Sequence, residues 1–147
     1  MNLTKLLDKG FETYKLKFKI YKWGDEKMSY LFIEYPKCTT CKRAKKWLDD
    51  HEIKYKDRHI VENNPTFEEL QEWIKKSGLP TKKFFNTSGV LYKEMNLSQK
   101  LKDIAEEEQI KLLASNGMLV KRTIVVGEDF VLVGFRDEDL WQETLSK

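Results

Sequence analysis

The chain has 147 residues, 40% of them hydrophobic and 35% charged, with 7 Gly and 3 Pro. That composition excludes a disordered or collagen-like polymer, and the length suits one globular domain better than two. The formal charge is +3, and its distribution is uneven: residues 1–27 hold Lys5, Lys9, Lys15, Lys17, Lys19, Lys22 and Lys27 against Asp8, Glu12, Asp25 and Glu26, which leaves 20 basic and 20 acidic residues from Met28 onward.

The neutral body offers no basic stripe for direct nucleic-acid contact. No apolar run approaches the roughly 18 residues of a membrane span; the longest, Phe130–Phe135, is strand-sized and contains Gly134. Lys15, Lys17 and Lys19 interrupt every hydrophobic stretch near the N-terminus, which argues against a secretory signal. Neither membrane nor nucleic acid is therefore expected as a partner, and the chain is expected to be cytoplasmic. A chain this long builds a core without disulfide staples. In a reducing compartment its two cysteines, Cys38 and Cys41, point to catalysis or metal binding rather than to a structural bridge.

The first segment supports two patterns. Leu3, Leu6, Leu7, Phe11 and Tyr14 approach a helical spacing, whereas Tyr14, Leu16, Phe18 and Ile20 alternate with lysines as in a half-buried strand. A third reading makes residues 1–27 a non-native, tag-like extension. Trp23-Gly24-Asp25-Glu26-Lys27 back-translates to a purine-rich stretch placed like a ribosome-binding site before Met28, which would then be the initiator of a single domain, 28–147. A native peptide containing Phe11 or Trp23, found by mass spectrometry of the endogenous protein, would sink that idea.

From Met28 the pattern becomes regular. Tyr30–Tyr35 is an aromatic and β-branched run stopped by Pro36, as a buried strand would be. Thr39–His51 gathers Ala44, Trp47 and Leu48 on one face of an amphipathic helix. Ile53–Ile60 follows as a second strand. Thr66 and Glu69 form a capping-box signature for a helix with the stripe Phe67, Leu70, Trp73 and Ile74, ended by Gly78 and Pro80. Ser98 to Ala105 and Ile110 to Gly117 suggest two short helices. Ile124–Val126 and Phe130–Val133, joined by Gly127-Glu128-Asp129, must pair antiparallel because so short a connection cannot cross over. Asp137–Leu145 closes the chain as a helix. The predicted order, β-α-β-α, helical insertion, β-β-α, is that of an α/β thioredoxin-like fold with a mixed four-stranded sheet.

The sharpest chemical feature is Cys38-Thr39-Thr40-Cys41 between the first strand and the first helix. Free backbone amides and the helix dipole stabilise an anion there, so a cysteine gains thiolate character. Lys37, Lys42 and Arg43 add positive charge nearby. Two intervening residues make one helical turn, which lets the second thiol close on the first: Cys38 is expected to be the nucleophile and Cys41 the resolving thiol, joined in a redox-active disulfide. A zinc site needs about four ligands, and the remaining candidates, His51 and His59, are not spaced as a metal pair. No metal or bound cofactor is expected. His51, at a helix C-terminus, and His59, on a strand, read as structural.

Tyr35-Pro36-Lys37-Cys38-Thr39-Thr40-Cys41-Lys42-Arg43-Ala44-Lys45-Lys46-Trp47-Leu48, then Phe85-Asn86-Thr87-Ser88-Gly89 with Tyr92-Lys93, then Met118-Leu119-Val120-Lys121-Arg122 and Gly134-Phe135, resemble the glutaredoxin-dependent arsenate reductase family. That family also holds the Spx-type transcriptional regulators. The resemblance covers about Met28 to Leu145 and implies a thiolate at Cys38 with basic residues at Lys93, Arg122 and Arg136 holding a small anion such as arsenate. It also implies glutathione with glutaredoxin, or thioredoxin, as electron donor. Lys93 departs from the family's arginine and lacks its planar clamp. Thr123 stands where the family has proline; a non-proline cis bond is costly, so a trans or strained peptide is expected before it. Cys41 is dispensable in the reductases, whereas the Spx-type regulators use such a pair to sense oxidation. The first expectation is thus an arsenate-reductase-like thiol-disulfide oxidoreductase. The alternative is an Spx-like redox sensor binding the RNA polymerase α-subunit.

Overall fold

The computed structural model describes residues 30–145. The readings of residues 1–27 and of Met28 as initiator fall outside that range. Strand β1, Tyr30–Glu34, pairs in parallel with β2, Tyr55–His59, and antiparallel with β3, Ile124–Val126. Strand β4, Val131–Val133, pairs antiparallel with β3 and completes the order β2-β1-β3-β4. Helix α1, Thr39–Asp50, is the crossover between the parallel strands. The hairpin reading of β3 and β4 holds, its turn closed by the Gly127 amide donating to Phe130 O at 2.9 Å.

Alternation along the strands sorts the core into two layers. Phe32, Val125 and Leu132 face α1 through Ala44 and Leu48, together with Trp141 and Leu145 of the closing helix, Glu138–Leu145. Ile33, Ile124 and Val126 face the opposite layer, where α2, Phe67–Ser77, contributes Leu70, Trp73 and Ile74. The helix at Glu106–Ser115 adds Ile110 and Leu113 to that layer. The Thr66 and Glu69 capping box forms as the spacing indicated, and Gly78 ends α2 at φ 72°, the left-handed region glycine enters without steric cost.

The insertion is more broken than the sequence pattern suggested. It holds α3, Val90–Glu94, and α4, Leu97–Lys100, before the helix at Glu106–Ser115, which is α5; Glu138–Leu145 is α6. Single 3₁₀ turns lie at Thr81–Phe84, Leu101–Asp103 and Gly117–Leu119. The expected helix over 98–105 stops early because Ile104 turns extended, at φ −120° and ψ 153°. Helix α3 was not anticipated, since five residues are too few to show a helical period, and Asn96 at φ 54° separates it from α4.

Candidate functional site

The turn from β1 into α1 is fixed by the Cys38 amide donating to Tyr35 O at 2.9 Å, and the Lys42 amide returns to Cys38 O at 3.1 Å. Cys38 is thereby the N-cap of α1, in extended conformation, and the first turn of that helix carries no acidic side chain to oppose an anion. Cys41 stands one turn further in and is fully buried, whereas Cys38 is half-buried. Both are free thiols.

Their ionisation differs for physical reasons. Burial alone would raise the Cys38 pKa, but the backbone amide and thiol of Cys41, the Thr40 amide and the Arg122 guanidinium together bring it below that of an ordinary thiol. The sulfur does not close a capping hydrogen bond of ordinary geometry, so the amides act on it as oriented dipoles. Cys41 is pushed up to about 12, foremost by burial; the Tyr35 amide, donating to its Sγ at 3.5 Å, and Arg122 only partly oppose this, while the neighbouring Cys38 adds to it. The accessible sulfur is thus biased toward thiolate and the buried one holds its proton.

Arg122 faces this pair. Its guanidinium lies 4.9 Å from the Tyr35 ring centroid. The register Ile33↔Ile124, continued by two residues, sets Arg122 across from Tyr35. Arg122 Nη1 and Thr123 Oγ1 are buried and, among the described residues, have no hydrogen-bond partner. A buried polar atom left unpaired costs about 1–3 kcal/mol. The Arg122–Thr123 peptide is cis, which removes the trans alternative raised by Thr123.

Of the three basic residues carried over by resemblance, Arg122 is the one whose charge acts on both cysteines. Lys93 is exposed on α3. Arg136 is exposed just beyond β4 and acts electrostatically on Lys121. Arg43 lies over the Phe135 ring at 5.4 Å, its charge on a platform beside α6. His51 stacks on Trp47 at 3.8 Å at the end of α1, and His59 Nδ1 accepts from the Val61 and Glu62 amides, both at 3.1 Å. Both histidines are engaged locally, as their positions suggested.

Sequence reasoning missed a buried acid at the end of β1. Glu34, the last residue of β1, is buried, and its carboxyl pKa is raised to about 7 by burial and by a hydrogen bond with Asp57; Lys45, 3.1 Å away, opposes the rise. Lys45 follows Cys41 by one helical turn and also binds Asp57. The signal available was a lone carboxylate closing an otherwise apolar strand, with a lysine four residues after the second cysteine.

The model of the ArsC family matches residues 33–142. The uncharacterized protein YusI from Bacillus subtilis (strain 168) is 51% identical over 79% of this chain and 98% of YusI. The regulatory protein MgsR from the same organism is 28% identical over 74% of this chain and 85% of MgsR. The crystal structure of an ArsC family related protein from Bacteroides fragilis superposes with a TM-score of 0.75 and 61% identity, covering 78% of this chain and 95% of the other.

Proposed function

This chain belongs to the ArsC family, and from that premise we propose that it is a cytoplasmic thiol-disulfide oxidoreductase with Cys38 as nucleophile and Cys41 as resolving thiol. The observation that carries the reading is the opposed ionisation of two thiols one helical turn apart, with Arg122 facing both.

The Cys38 thiolate attacks one sulfur of a substrate disulfide, forming a mixed disulfide and releasing the other sulfur as a thiolate with the bonding electron pair. Cys41 then gives its proton to solvent base, attacks Cys38 Sγ and expels the second substrate thiol. The protein is left oxidised as the Cys38–Cys41 disulfide and the substrate reduced by two electrons. A small thiol with glutaredoxin, or thioredoxin, restores the dithiol by the reverse exchange. Arsenate or another small oxyanion is the alternative substrate of the same thiolate, held by Arg122 with Lys93 and Arg136. The unpartnered Arg122 Nη1 and Thr123 Oγ1 support an oxygen-bearing ligand there.

Turnover of a small disulfide, or of arsenate, by the full chain with a thiol donor tests this, and Cys38→Ser must abolish it. The similarity to MgsR, a regulatory protein by its name, supports a second reading, a regulator; in that reading the Cys38–Cys41 pair would sense oxidation and the bound partner would be the RNA polymerase α-subunit. Failure with every donor, together with thiol-dependent capture of the α-subunit, would favour that reading.

A further inference from the structure

Resolution of a mixed disulfide needs a route for the Cys41 proton. Cys41 is fully buried, so solvent, the final acceptor, does not meet that sulfur directly. Glu34 is the buried acid the exchange leaves unused, and two contacts tie it to Cys41. The Tyr35 amide nitrogen lies 3.5 Å from Cys41 Sγ and is bonded to the carbonyl carbon of Glu34, which sets the sulfur within about 5 Å of that carbon. Cys41 and Lys45 are one turn apart on α1, and Lys45 Nζ reaches Glu34 Oε2 at 3.1 Å. Alternation along β1 puts Glu34 with Phe32 on the face of the sheet that α1 covers, opposite to Ile33. Thiol and carboxyl therefore share one layer, between the end of β1 and the first two turns of α1.

The groups around Glu34 lead outward to water. From β2, Asp57 shares a hydrogen bond with the Glu34 carboxyl and also binds Lys45, while His59, paired with Glu34 in register, acts on Asp57. The register Ile33↔Ile124, continued by one residue, sets Thr123 across from Glu34 on the same face, and its buried hydroxyl has no hydrogen-bond partner among the described residues. Asp57 and Lys45 both reach solvent. One ammonium would complete a structural pair with one carboxylate; here two carboxyl groups share it, and the buried one is raised to about 7. A base poised near the working pH is what proton transfer requires.

Resting on the oxidoreductase reading, we propose that Glu34 accepts the Cys41 proton in the resolving step and passes it through Asp57 to solvent, with Lys45 as a positioning residue that aligns the two carboxyl groups. In the mixed disulfide, the Cys41 proton moves to the Glu34 carboxylate while the Cys41 sulfur uses the freed electron pair to bond Cys38 Sγ. The bond between Cys38 and the substrate sulfur breaks, and its electron pair leaves with the substrate thiolate. Glu34, now neutral, donates through its hydrogen bond to Asp57, which gives the proton to water and resets the pair. Reduction of the Cys38–Cys41 disulfide runs the same path inward and returns the proton to Cys41.

The test follows the full reduced chain with dithiobis(nitrobenzoate), whose chromophoric thiol is released twice: once as Cys38 forms the mixed disulfide, and again as Cys41 resolves it. In the parent we expect the second rate constant to rise with pH through an inflection near 7. In Glu34→Gln the inflection should vanish and the ratio of second to first rate constant at pH 8 should fall on the order of a hundredfold; Glu34→Asp should recover part of it. Lys45→Met should move the inflection to higher pH and Asp57→Asn to lower pH, because Lys45 lowers the Glu34 pKa and Asp57 raises it. Both of these side chains reach solvent, so this pair keeps the test decisive should Glu34→Gln fold poorly. An inflection that neither variant moves, or a Glu34→Gln chain whose two rates fall together or keep the parent ratio, would overturn the role of Glu34 while leaving the thiol chemistry standing. A single release in the parent, with the aromatic thiol retained on Cys38, would overturn the resolving role of Cys41 and this proposal with it.

Discussion

The Arg122 guanidinium lies 4.9 Å from the ring centroid of Tyr35, and the backbone amide of that same Tyr35 donates to Cys41 Sγ at 3.5 Å. One short segment, the exit of β1, therefore positions both the cation that faces the thiols and a donor to the buried sulfur. The aromatic face holds Arg122 in place without a carboxylate, which would cancel its charge.

Removing that cation exposes its contribution. In Arg122→Gln the apparent pKa of Cys38 rises, and alkylation by iodoacetamide at pH 7 slows several-fold. Arg122→Lys should recover part of the rate, since it keeps the charge and loses the planar stacking. The pH profile of alkylation separates this effect from a general loss of structure, which would instead speed modification of Cys41.

Site selectivity follows from the two thiol environments. Brief alkylation of the reduced chain at pH 7 should label Cys38 and spare Cys41, whose proton is held up to about 12. Peptide mass spectrometry reads this directly. Equal labelling of both cysteines would show that the helix start does not differentiate them.

The buried Glu34 gives a stability signature with a definite sign. Its folded pKa, about 7, lies above the ordinary value of 4.5, so between those values the folded state binds more protons than the unfolded one. Stability contributed by this group is complete below pH 4.5 and falls as pH rises toward 7. Asp57, held low by Glu34 and Lys45 although burial opposes it, contributes in the opposite direction only at more acidic pH. Urea midpoints should therefore decline from pH 5 to pH 8, and Glu34→Gln should flatten that decline. An identical slope in the variant would contradict the assignment.

The fold around the site depends on one close approach. A Cβ at Gly117 would meet Ile60 O at 1.9 Å, so Gly117→Ala must displace the backbone leaving β2 or the 3₁₀ turn that leads to β3. A loss of several kcal/mol is expected, read as a large drop in urea midpoint. Thr66→Ala, which breaks the capping box, should cost only about 1 kcal/mol.

The sequence carried those parts of the molecule in which local pattern and tertiary environment agree. The aromatic run ending at Glu34, the capping box at Thr66 and Glu69, and the Gly127 turn each announce themselves within a few residues. Cys38 was legible because a helix start creates its chemistry locally. Gly117 was readable as a helix stop, but its contact with Ile60 joins residues 57 positions apart and leaves no local trace. The Glu34–Lys45–Asp57 cluster was hidden for the same reason: Lys45 reads as part of a solvated helix face until the sheet places two carboxylates under it.

The most direct test of the central claim is a redox titration of the full chain in glutathione buffers, with free thiols trapped by acid and counted by mass. We expect one two-electron transition from two free thiols to an intramolecular Cys38–Cys41 disulfide, replaced in Cys41→Ser by a stable glutathione adduct on Cys38. Two thiols that stay reduced across the oxidising range, or an adduct on Cys38 that Cys41 never displaces, would contradict it.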